Sequence, residues 1–360
     1  ARQGVPCTVL DAQPQPATQA SGNPAGLFHG TVGADDTVHT RWHRAASFAA
    51  ADWVRASQAG ASDGLLRLNS PHDLTAMQTL IATQRLPPSY VQALDAAQAS
   101  QHAGLPLAQA AWLFTQGGWA DPRALVQDAL ATPGVTWQGN ALAHAIEQGA
   151  DGWRVRGGDA RVIAQAPVLV LANADDALRL AALPRDWIER VRGQVTLLDV
   201  RDAAVMPRMP IASGGYVLPH GGGLMIGATS QRGDDDGQVR ETDHAHNIER
   251  ARHLLGRSVA RDGAVLQGRV GWRVVTRDRL PLIGLSPDLD APLPMRRDAP
   301  RLLARRAGLV LHTALGSRGI TTAALGGELI AAQLCGAPWP LEADLVDAID
   351  PARFALRTSR

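Results

Sequence analysis

One arginine lies in a glycine-flanked segment whose composition suits a ligand-binding site. Arg273 is part of the stretch Gly271–Gly284, which reads GWRVVTRDRLPLIG. A guanidinium group that faces a pocket can hold a carboxylate through two parallel hydrogen bonds. A surface arginine on a hairpin is the alternative, and the residue types alone leave both interpretations open.

A second segment combines the end of a strand, two glycines and the start of a helix. The apolar run Leu309–His312 leads through Gly316-Ser317-Arg318-Gly319 into a helix that we predict over 320–335. Backbone N–H groups in such a connection, together with the positive end of the helix, can bind an electron-rich group. An ordinary strand–helix connection is the alternative.

Near the start of the chain, an acidic residue follows a predicted strand. Asp11 comes directly after Val5–Leu10, where a dinucleotide-binding unit places the acid that accepts hydrogen bonds from a ribose. Gly22 and Gly26 would allow a ligand to approach the backbone closely. The glycine fingerprint expected about 20 residues before that acid is not in the chain, so we expect the first strand and phosphate loop to lie before Ala1. A turn residue and a flexible loop are the alternatives.

The basic residues are unusual because all 35 of them are arginines. Without a lysine, Schiff-base and catalytic-lysine chemistry are excluded. Five arginines form a run that could contact RNA phosphates or could lie on a solvated loop. These are Arg296, Arg297, Arg301, Arg305 and Arg306.

The cysteines and histidines indicate no metal site. Cys7 and Cys335 lie at opposite ends of the chain without metal-binding or disulfide spacing, which predicts a reducing, cytoplasmic compartment. His29, His220 and His312 also lack metal-binding spacing, so we interpret them as structural or pocket-lining. The sequence shows no obvious catalytic base.

Length and composition are those of a globular protein of two domains, or of one large domain with a cap. Of the 360 residues, 45% are hydrophobic and 19% are charged, and the formal net charge is +1. These are ordinary values, and the chain as a whole is not an obvious polyanion binder. No apolar run approaches the ~18 residues that a membrane span needs, so we expect no membrane association.

Hydrophobic patterns predict a mixed α/β fold. Segments typical of a parallel-sheet nucleotide-binding domain alternate with segments that supply helices and an antiparallel sheet. Helices are predicted over 40–61, 71–82, 88–103, 121–131, 243–255 and 320–335. Strands are predicted over 5–10, 135–138, 153–155, 161–164, 168–171 and 309–312, with an antiparallel sheet between 193 and 228. The continuous apolar run 168–171 is typical of a strand buried on both faces of a parallel sheet.

The two kinds of segment predict two discontinuous domains. We assign 1–65, 115–182 and 265–345 to a nucleotide-binding domain with a parallel sheet. We assign 66–114 and 183–264 to a substrate or cap domain with an antiparallel sheet. Residues 346–360 are expected to form a C-terminal tail.

Six stretches make the chain recognisable. They begin at Ala20 (ASGNPAGLFHG), Gly117 (GGWADPRAL), Val168 (VLVLANA), Gly214 (GGYVLPHGGGLMIGATSQRG), Gly271 (GWRVVTRDRLPLIG) and Ala314 (ALGSRGITTAALGGELIAAQ). With these stretches in this order, the chain resembles the D-amino-acid oxidase/glycine oxidase family of flavoproteins. Within the family it is most similar to the oxidoreductase part of a bifunctional tRNA-modification enzyme. The resemblance implies a Rossmann-like FAD-binding domain interleaved with an antiparallel-sheet substrate domain, as in glycine oxidase.

The resemblance also implies a cofactor site. Asp11 would hold the adenosine ribose, the segment from Ser21 to Gly26 would line the pyrophosphate, and 316–321 would cradle the pyrimidine edge of the flavin. Ala143 and Ala172-Asn173 would contact adenine. The implied cofactor-binding residues are Asp11, Ser21, Gly22, Asn23, Gly26, Leu27, Ala143, Ala172, Asn173, Gly316, Ser317, Arg318, Gly319, Ile320 and Thr321. Neither cysteine lies where relatives tether flavin, so FAD is expected to bind non-covalently.

For the substrate, the resemblance implies carboxylate-binding and pocket-shaping residues. Arg273 aligns with the carboxylate-binding arginine of the family, and Arg318 or Ser317 with a second carboxylate contact. Tyr216, with Leu27 and Phe28, would shape the pocket. We therefore predict Arg273, Arg318 and Tyr216 as the catalytic residues.

The implied reaction is FAD-dependent cleavage of a carboxymethylaminomethyl group on a wobble uridine of tRNA, giving aminomethyluridine and glyoxylate. A methyltransferase, fused or separate, would be a partner. A small-molecule oxidase or dehydrogenase for glycine, sarcosine or a D-amino acid is one alternative, and a truncated remnant without flavin is another. If the arginine run from Arg296 to Arg306 surrounds the mouth of the pocket, an RNA substrate is favoured. If it lies elsewhere, a small-molecule substrate is favoured.

Overall fold

The computed structural model describes residues 1–68, 72–296 and 298–358, which form twenty strands and nine α-helices. The strands are β1 Cys7–Leu10, β2 Gly26–Phe28, β3 Gly60–Ala61, β4 Leu65–Leu68, β5 Val91–Leu94, β6 Ala111–Phe114, β7 Gly118–Ala120, β8 Val135–Gln138, β9 Ala145–Gly149, β10 Gly152–Arg156, β11 Val162–Ala166, β12 Leu169–Leu171, β13 Ile188–Asp199, β14 Ile211–Ala212, β15 Tyr216–His220, β16 Gly223–Gly227, β17 Gln231–Arg232, β18 Gln267–Thr276, β19 Leu282–Pro287 and β20 Arg305–Thr313. The helices are α1 Val38–Ser57, α2 Leu74–Thr83, α3 Ala96–Ala103, α4 Pro122–Leu130, α5 Asp176–Leu180, α6 Glu241–Leu255, α7 Gly319–Cys335, α8 Ala343–Ile349 and α9 Arg353–Thr358.

A large, mostly antiparallel sheet forms one wall of the molecule. Its strands follow the order β17-β13-β16-β15-β14-β4-β6-β5, and β18 pairs with β13 from Ile188–Thr276 to Leu197–Gln267. The antiparallel sheet predicted between 193 and 228 is confirmed by the pairs β13–β16 and β15–β16. Although β18 lies within the range 265–345 that we assigned to the nucleotide-binding domain, it belongs to this sheet.

Parallel pairing occurs in two smaller sheets. Strand β1 pairs with β8, and β12 pairs with β20, which also has β19 as an antiparallel neighbour. The strand predicted over 168–171 exists, but its burial on both faces was wrong. Val170 is 40% exposed, so one face of this strand, which is the edge strand of its sheet, is open to solvent.

Side-chain caps fix several helix starts. Thr37, Asp73 and Asp121 accept hydrogen bonds from the first-turn N–H groups of α1, α2 and α4, which stabilises each helix start. The helix predicted over 88–103 was wrong in its first half. Asp95 and Gln98 form a capping box that starts α3 at Ala96, and β5 precedes it because Val91 and Leu94 are buried against β6.

Two core clusters hold the sheets and helices together. One packs α6 beneath the large sheet, with Ala251 and Leu255 against Leu198 and Ile226. The other packs α1 and α7 together over β19 and β20, so the start of α7 has a rigid support. None of the helices in the described ranges is long and apolar enough to cross a bilayer.

Candidate functional site

A cavity of about 1220 Å³ opens between the large sheet and the start of α7. It brings together most of the residues predicted as a site. These are Ser21, Asn23, Gly26, Leu27, Tyr216, Arg273, Gly316, Ser317, Arg318, Gly319, Ile320 and Thr321. Gly22 is buried next to this wall, whereas Asp11, Ala143, Ala172 and Asn173 lie outside the lining.

The four outlying residues occupy loops after parallel strands. Asp11 follows β1, and its carboxylate accepts a hydrogen bond of 2.8 Å from the backbone N–H of Gln13, which is also what a turn residue does. Ala143 lies between β8 and β9, where its carbonyl accepts a hydrogen bond from Arg179. Ala172 and Asn173 follow β12 and are exposed. Their adenosine-binding roles remain predictions.

Two glycines let the segment around Ser21 pack closely. A Cβ atom on Gly26 would lie 2.5 Å from Cδ1 of Ile320, which is too close. A Cβ on Gly22 would lie 2.2 Å from the guanidinium of Arg269. The guanidinium donates to the carbonyls of Thr18 and Gln19, so it holds the loop that forms this wall of the cavity.

The segment 316–321 forms a tight turn that leads into α7. Gly316 has a φ of +62°, a conformation that glycine adopts without steric cost. The first turn of α7 follows immediately, and its residues Gly319, Ile320 and Thr321 line the cavity. This is the arrangement that the sequence predicts for binding an electron-rich group.

Arg273 lies largely buried on β18, with its guanidinium over the neighbouring strand. A Cβ atom on Gly193 would lie 2.6 Å from Nη2 of Arg273. Nη1 donates a hydrogen bond of 3.1 Å to the carbonyl of Thr229. Burial lowers the pKa of Arg273, and the nearby Tyr216 raises it. Burial raises the pKa of Tyr216 to about 12, so its hydroxyl stays protonated and able to donate a hydrogen bond.

Arg318 is the second predicted catalytic arginine. It donates a long hydrogen bond of 3.4 Å to the carbonyl of His29. Burial, and then the positive charge of Arg67, lower its pKa to about 10. At neutral pH it is therefore a buried cation.

Sequence reasoning missed three further lining residues. Arg67 interrupts the otherwise apolar strand β4 and lines the cavity. A single charged residue among leucines could have indicated a functional role from the sequence. His39 and His43 stand one helical turn apart at the start of α1, with ring centroids 4.4 Å apart. Their i, i+4 spacing puts both on one helix face, which could have indicated them.

The cavity contains three imidazoles, although the sequence had suggested no obvious base. His29, His39 and His43 all line it. Burial, followed by the charge of Arg318, lowers the pKa of each, and that of His43 falls to about 2. His43 is 2% exposed, and neither ring nitrogen has a hydrogen-bond partner in the described part of the protein. These imidazoles are neutral at physiological pH and can accept hydrogen bonds.

The lining carries a strong excess of positive charge. Seven arginines line the cavity, against the two acids Asp186 and Glu189, which pair with Arg277 and Arg232 respectively. Within the described ranges, five lining arginines have no acidic partner: Arg67, Arg250, Arg273, Arg279 and Arg318. Such a lining favours an anionic ligand.

The arginine run proposed as an RNA contact is placed elsewhere. Arg296 and Arg301 pair with Asp298 and Asp347. Arg305 pairs with Asp350 through two hydrogen bonds of 2.8 Å. Arg306 stacks 4.9 Å above the ring of Trp153. None of these four lines the cavity, and Arg297 lies outside the described residues.

Comparisons with known proteins agree with this architecture. The family model described as FAD dependent oxidoreductase (DAO) matches residues 1–333. The bifunctional tRNA 5-methylaminomethyl-2-thiouridine biosynthesis protein MnmC of Methylibium petroleiphilum is 46% identical over 99% of this chain and 57% of its own length. The protein of the same name from Burkholderia cenocepacia is 40% identical over 100% and 58%. The chain thus spans just over half the length of these relatives.

Among solved structures, the fold is shared with a glycine oxidase from Bacillus cereus. The TM-score is 0.73 at 18% identity, covering 96% of this chain and 92% of the other. At that identity the likeness concerns the fold alone. It agrees with the predicted mixed α/β architecture, in which parallel strands and a large antiparallel sheet alternate along the chain.

Proposed function

Because the chain belongs to the family of FAD-dependent oxidoreductases, we propose that it oxidises a secondary amine that carries a carboxymethyl group. The substrate in this proposal is the carboxymethylaminomethyl group on a wobble uridine of tRNA. The products are aminomethyluridine and glyoxylate.

The observation that carries the proposal is the position of Arg273. Its guanidinium is largely buried in the lining, lacks an acidic partner in the described ranges and shares the cavity with the turn 316–321. A buried, unpaired cation is costly unless an anion joins it. The carboxylate of a carboxymethylamine supplies that anion and accepts a two-point contact.

The residues present fit FAD. Gly26 packs so closely against Ile320 that no side chain can be added at this point of the wall, and the start of α7 offers N–H groups to an electron-rich ring edge. The unpartnered nitrogens of His43 offer hydrogen-bonding atoms to a ligand. Neither Cys7 nor Cys335 lines the cavity, which supports non-covalent binding. When bound, FAD accepts the hydride that leaves the methylene carbon of the substrate.

The side chains of the chain itself would orient and deprotonate the substrate. Arg273 binds the carboxylate and so fixes the position of the adjacent methylene, which lowers the entropic part of the barrier. The neutral imidazole of His39, which is less buried than His29 and His43, can take the proton of an ammonium group, leaving the amine with a free electron pair. Loss of hydride from that amine gives an imine, and water then cleaves the imine to the primary amine and glyoxylate.

The tRNA part of the proposal depends on the relatives and on charge. Relatives that are 40–46% identical over nearly the whole chain carry the name of a tRNA-modifying enzyme. The five unpaired arginines of the lining would favour entry of a polyanion. By the same relationship, a methyltransferase is proposed as a partner.

A small-molecule amine oxidase is the second candidate function. The position of the arginine run supports this candidate. Arg296, Arg301 and Arg305 pair with acidic residues and Arg306 stacks on Trp153, all away from the cavity. The fold, the cofactor and Arg273 would be the same for a substrate such as sarcosine.

One experiment separates these functions. The protein is reconstituted with FAD, and glyoxylate release is measured from an anticodon stem-loop carrying the modified uridine, from sarcosine and from glycine. A preference for the stem-loop supports the proposal, a preference for sarcosine or glycine supports the second candidate, and failure to retain FAD supports a non-catalytic remnant. Arg273→Leu should abolish most turnover, while Arg257→Gln, an exposed arginine after α6, should leave it unchanged.

A further inference from the structure

Arg67 is a charged residue in a mostly buried strand, and none of the roles predicted above explains why it is there. The register of the large sheet pairs Arg67 with Ala212 on β14, and Ala212 with Tyr216 on β15. Directly paired residues point to the same face of a sheet. All three line the cavity, so Arg67 and Tyr216 belong to one row on the cavity floor.

Arg67 lacks any partner that would explain its burial. In the described part of the chain it makes no ion pair and no side-chain hydrogen bond, whereas the buried Arg192 makes four hydrogen bonds. Burial lowers the pKa of Arg67. Its position is therefore unfavourable for a cation until a ligand compensates it.

A second cation lies beside it. Arg318 donates to the carbonyl of His29, whose ring lies 5.1 Å from that of Phe114. Phe114 pairs with Leu65 on β4, the strand that carries Arg67, so Arg318 lies near Arg67. Each of the two arginines lowers the pKa of His29. His29 is neutral, and within the described ranges the side chain of Arg318 makes only the long hydrogen bond to the carbonyl of His29. Two partly buried guanidinium groups that repel each other form a site which a shared oxyanion would stabilise.

This pair is separate from Arg273. The guanidinium of Arg273 lies over Gly193, donates to Thr229 and has Tyr216 as its ionisable neighbour. In the large sheet, the strands β13, β16, β15 and β14 separate β18, which carries Arg273, from β4, which carries Arg67. Arg273 and the pair Arg67–Arg318 are therefore two distinct cationic groups among the arginines that line the cavity.

We propose that Arg67 and Arg318 form a second oxyanion subsite, so that the cavity prefers ligands with two anionic groups. The inference rests on the proposed function for the assignment of Arg273 to a carboxylate. The second oxyanion is a further carboxylate of an amine substrate or a phosphate of a nucleotide, and both present oxygen atoms to paired guanidinium forks.

Binding of non-reactive anions tests the subsite without turnover. Calorimetry on the FAD-loaded protein measures the Kd of acetate, glutarate and inorganic phosphate for the wild type, Arg67→Gln and the surface control Arg257→Gln. We expect glutarate to bind at least about tenfold more tightly than acetate, since a hydrogen bond to a charged group is worth that much or more. Arg67→Gln should remove this advantage and leave acetate unchanged.

Each outcome bears on the proposal. Loss of phosphate binding alone in Arg67→Gln supports a nucleotide phosphate as the occupant, and loss of glutarate binding supports a carboxylate. Equal affinities in wild type and Arg67→Gln overturn the subsite. A variant that loses FAD overturns it too, because the pair would then serve the cofactor. Arg67→Lys, which keeps the charge without the fork, controls for misfolding.

The two proposals fail independently. If Arg273→Leu oxidises the carboxymethylamine at the wild-type rate, the proposed function is wrong, whatever the glutarate titration shows. If that variant is inactive while Arg67→Gln binds glutarate normally, only the second subsite is wrong.

Discussion

The guanidinium of Arg273 lies across the backbone of Gly193 on the neighbouring strand. A Cβ atom at position 193 would come within 2.6–2.8 Å of Nη2, Nη1 and Cζ of Arg273. Gly193 and Arg273 are diagonal neighbours on the paired strands β13 and β18. The absence of a side chain at one position is therefore what lets the arginine of the other strand extend over the sheet.

Gly193→Ala is expected to disable the site without altering Arg273 itself. The added methyl group displaces the guanidinium, and a shift of about 1 Å can cost about 10²-fold in rate. We predict such a fall in kcat/KM for a carboxylated amine, with FAD content unchanged. The matched control is Gly271→Ala on the paired strand, where the new Cβ would lie 3.5 Å from Ala20, an ordinary contact. Wild-type kinetics in Gly193→Ala would show that the position of Arg273 is irrelevant.

The contact between Gly26 and Ile320 gives a prediction about cofactor affinity. In Gly26→Ala, the methyl group meets Cδ1 of Ile320 at 2.5 Å, so the isoleucine must turn into the cavity or push the β2 segment away. We expect FAD to bind about tenfold more weakly, as overpacking costs 1–3 kcal/mol. The double variant Gly26→Ala, Ile320→Val removes the clashing methyl and should regain most of the affinity. Equilibrium dialysis of FAD measures both, and an absence of rescue would contradict this account.

Local signals allowed much of the fold to be predicted. Asp121-Pro122 marked the start of α4, and the apolar run 309–312 marked the buried part of β20, because caps and continuous apolar runs act within a few residues. The segment 88–103 was harder. Val91 becomes a strand residue only because β6, twenty residues away, offers Phe114 as its partner.

The site was predictable where it is continuous in sequence. The turn 316–321 and the segment around Ser21 were found from glycines beside strands and helices, and they line one cavity. Arg67 was missed because its role depends on β14, which is distant in sequence and pairs with it in parallel. The acidic partners of the arginine run could not be predicted either, since Asp347 and Asp350 lie some 45 residues beyond it in the sequence.

The buried pair of Arg192 and Asp243 is expected to dominate the stability of the large sheet. Arg192 is fully buried on β13, and its Nη1 donates a hydrogen bond of 2.6 Å to Asp243 on α6. Asp243→Ala removes the closest acid of that cation and leaves it with Asp234 at 4.0 Å and hydrogen bonds to neutral groups. Removing one partner of a buried pair costs about 3–5 kcal/mol. Chemical denaturation should show this loss. The control is Glu249→Ala on the same helix, which breaks the exposed pair with Arg252 and should cost less than about 1 kcal/mol. Similar losses in both variants would refute the assignment.

The buried imidazole of His43 predicts a specific dependence of stability on pH. Its pKa is about 2 in the folded protein, against about 6.5 when unfolded. Between these values the unfolded chain binds one more proton, so the stabilising contribution of His43 is complete above about pH 6.5 and is lost as the pH falls. The slope is about 1.4 kcal/mol per pH unit.

His43→Gln should therefore flatten the pH dependence of the unfolding free energy by that amount between pH 6 and pH 4.5. The comparison is His312→Gln, because burial lowers the pKa of His312 to about 4. Above pH 4.5, His312→Gln should reduce the slope of the unfolding free energy against pH by the same amount. Below about pH 4 His312 no longer contributes to this slope, whereas His43 still does. Denaturant titrations at several pH values measure both slopes. Parallel curves for wild type and His43→Gln would mean that the imidazole takes up a proton within the folded protein.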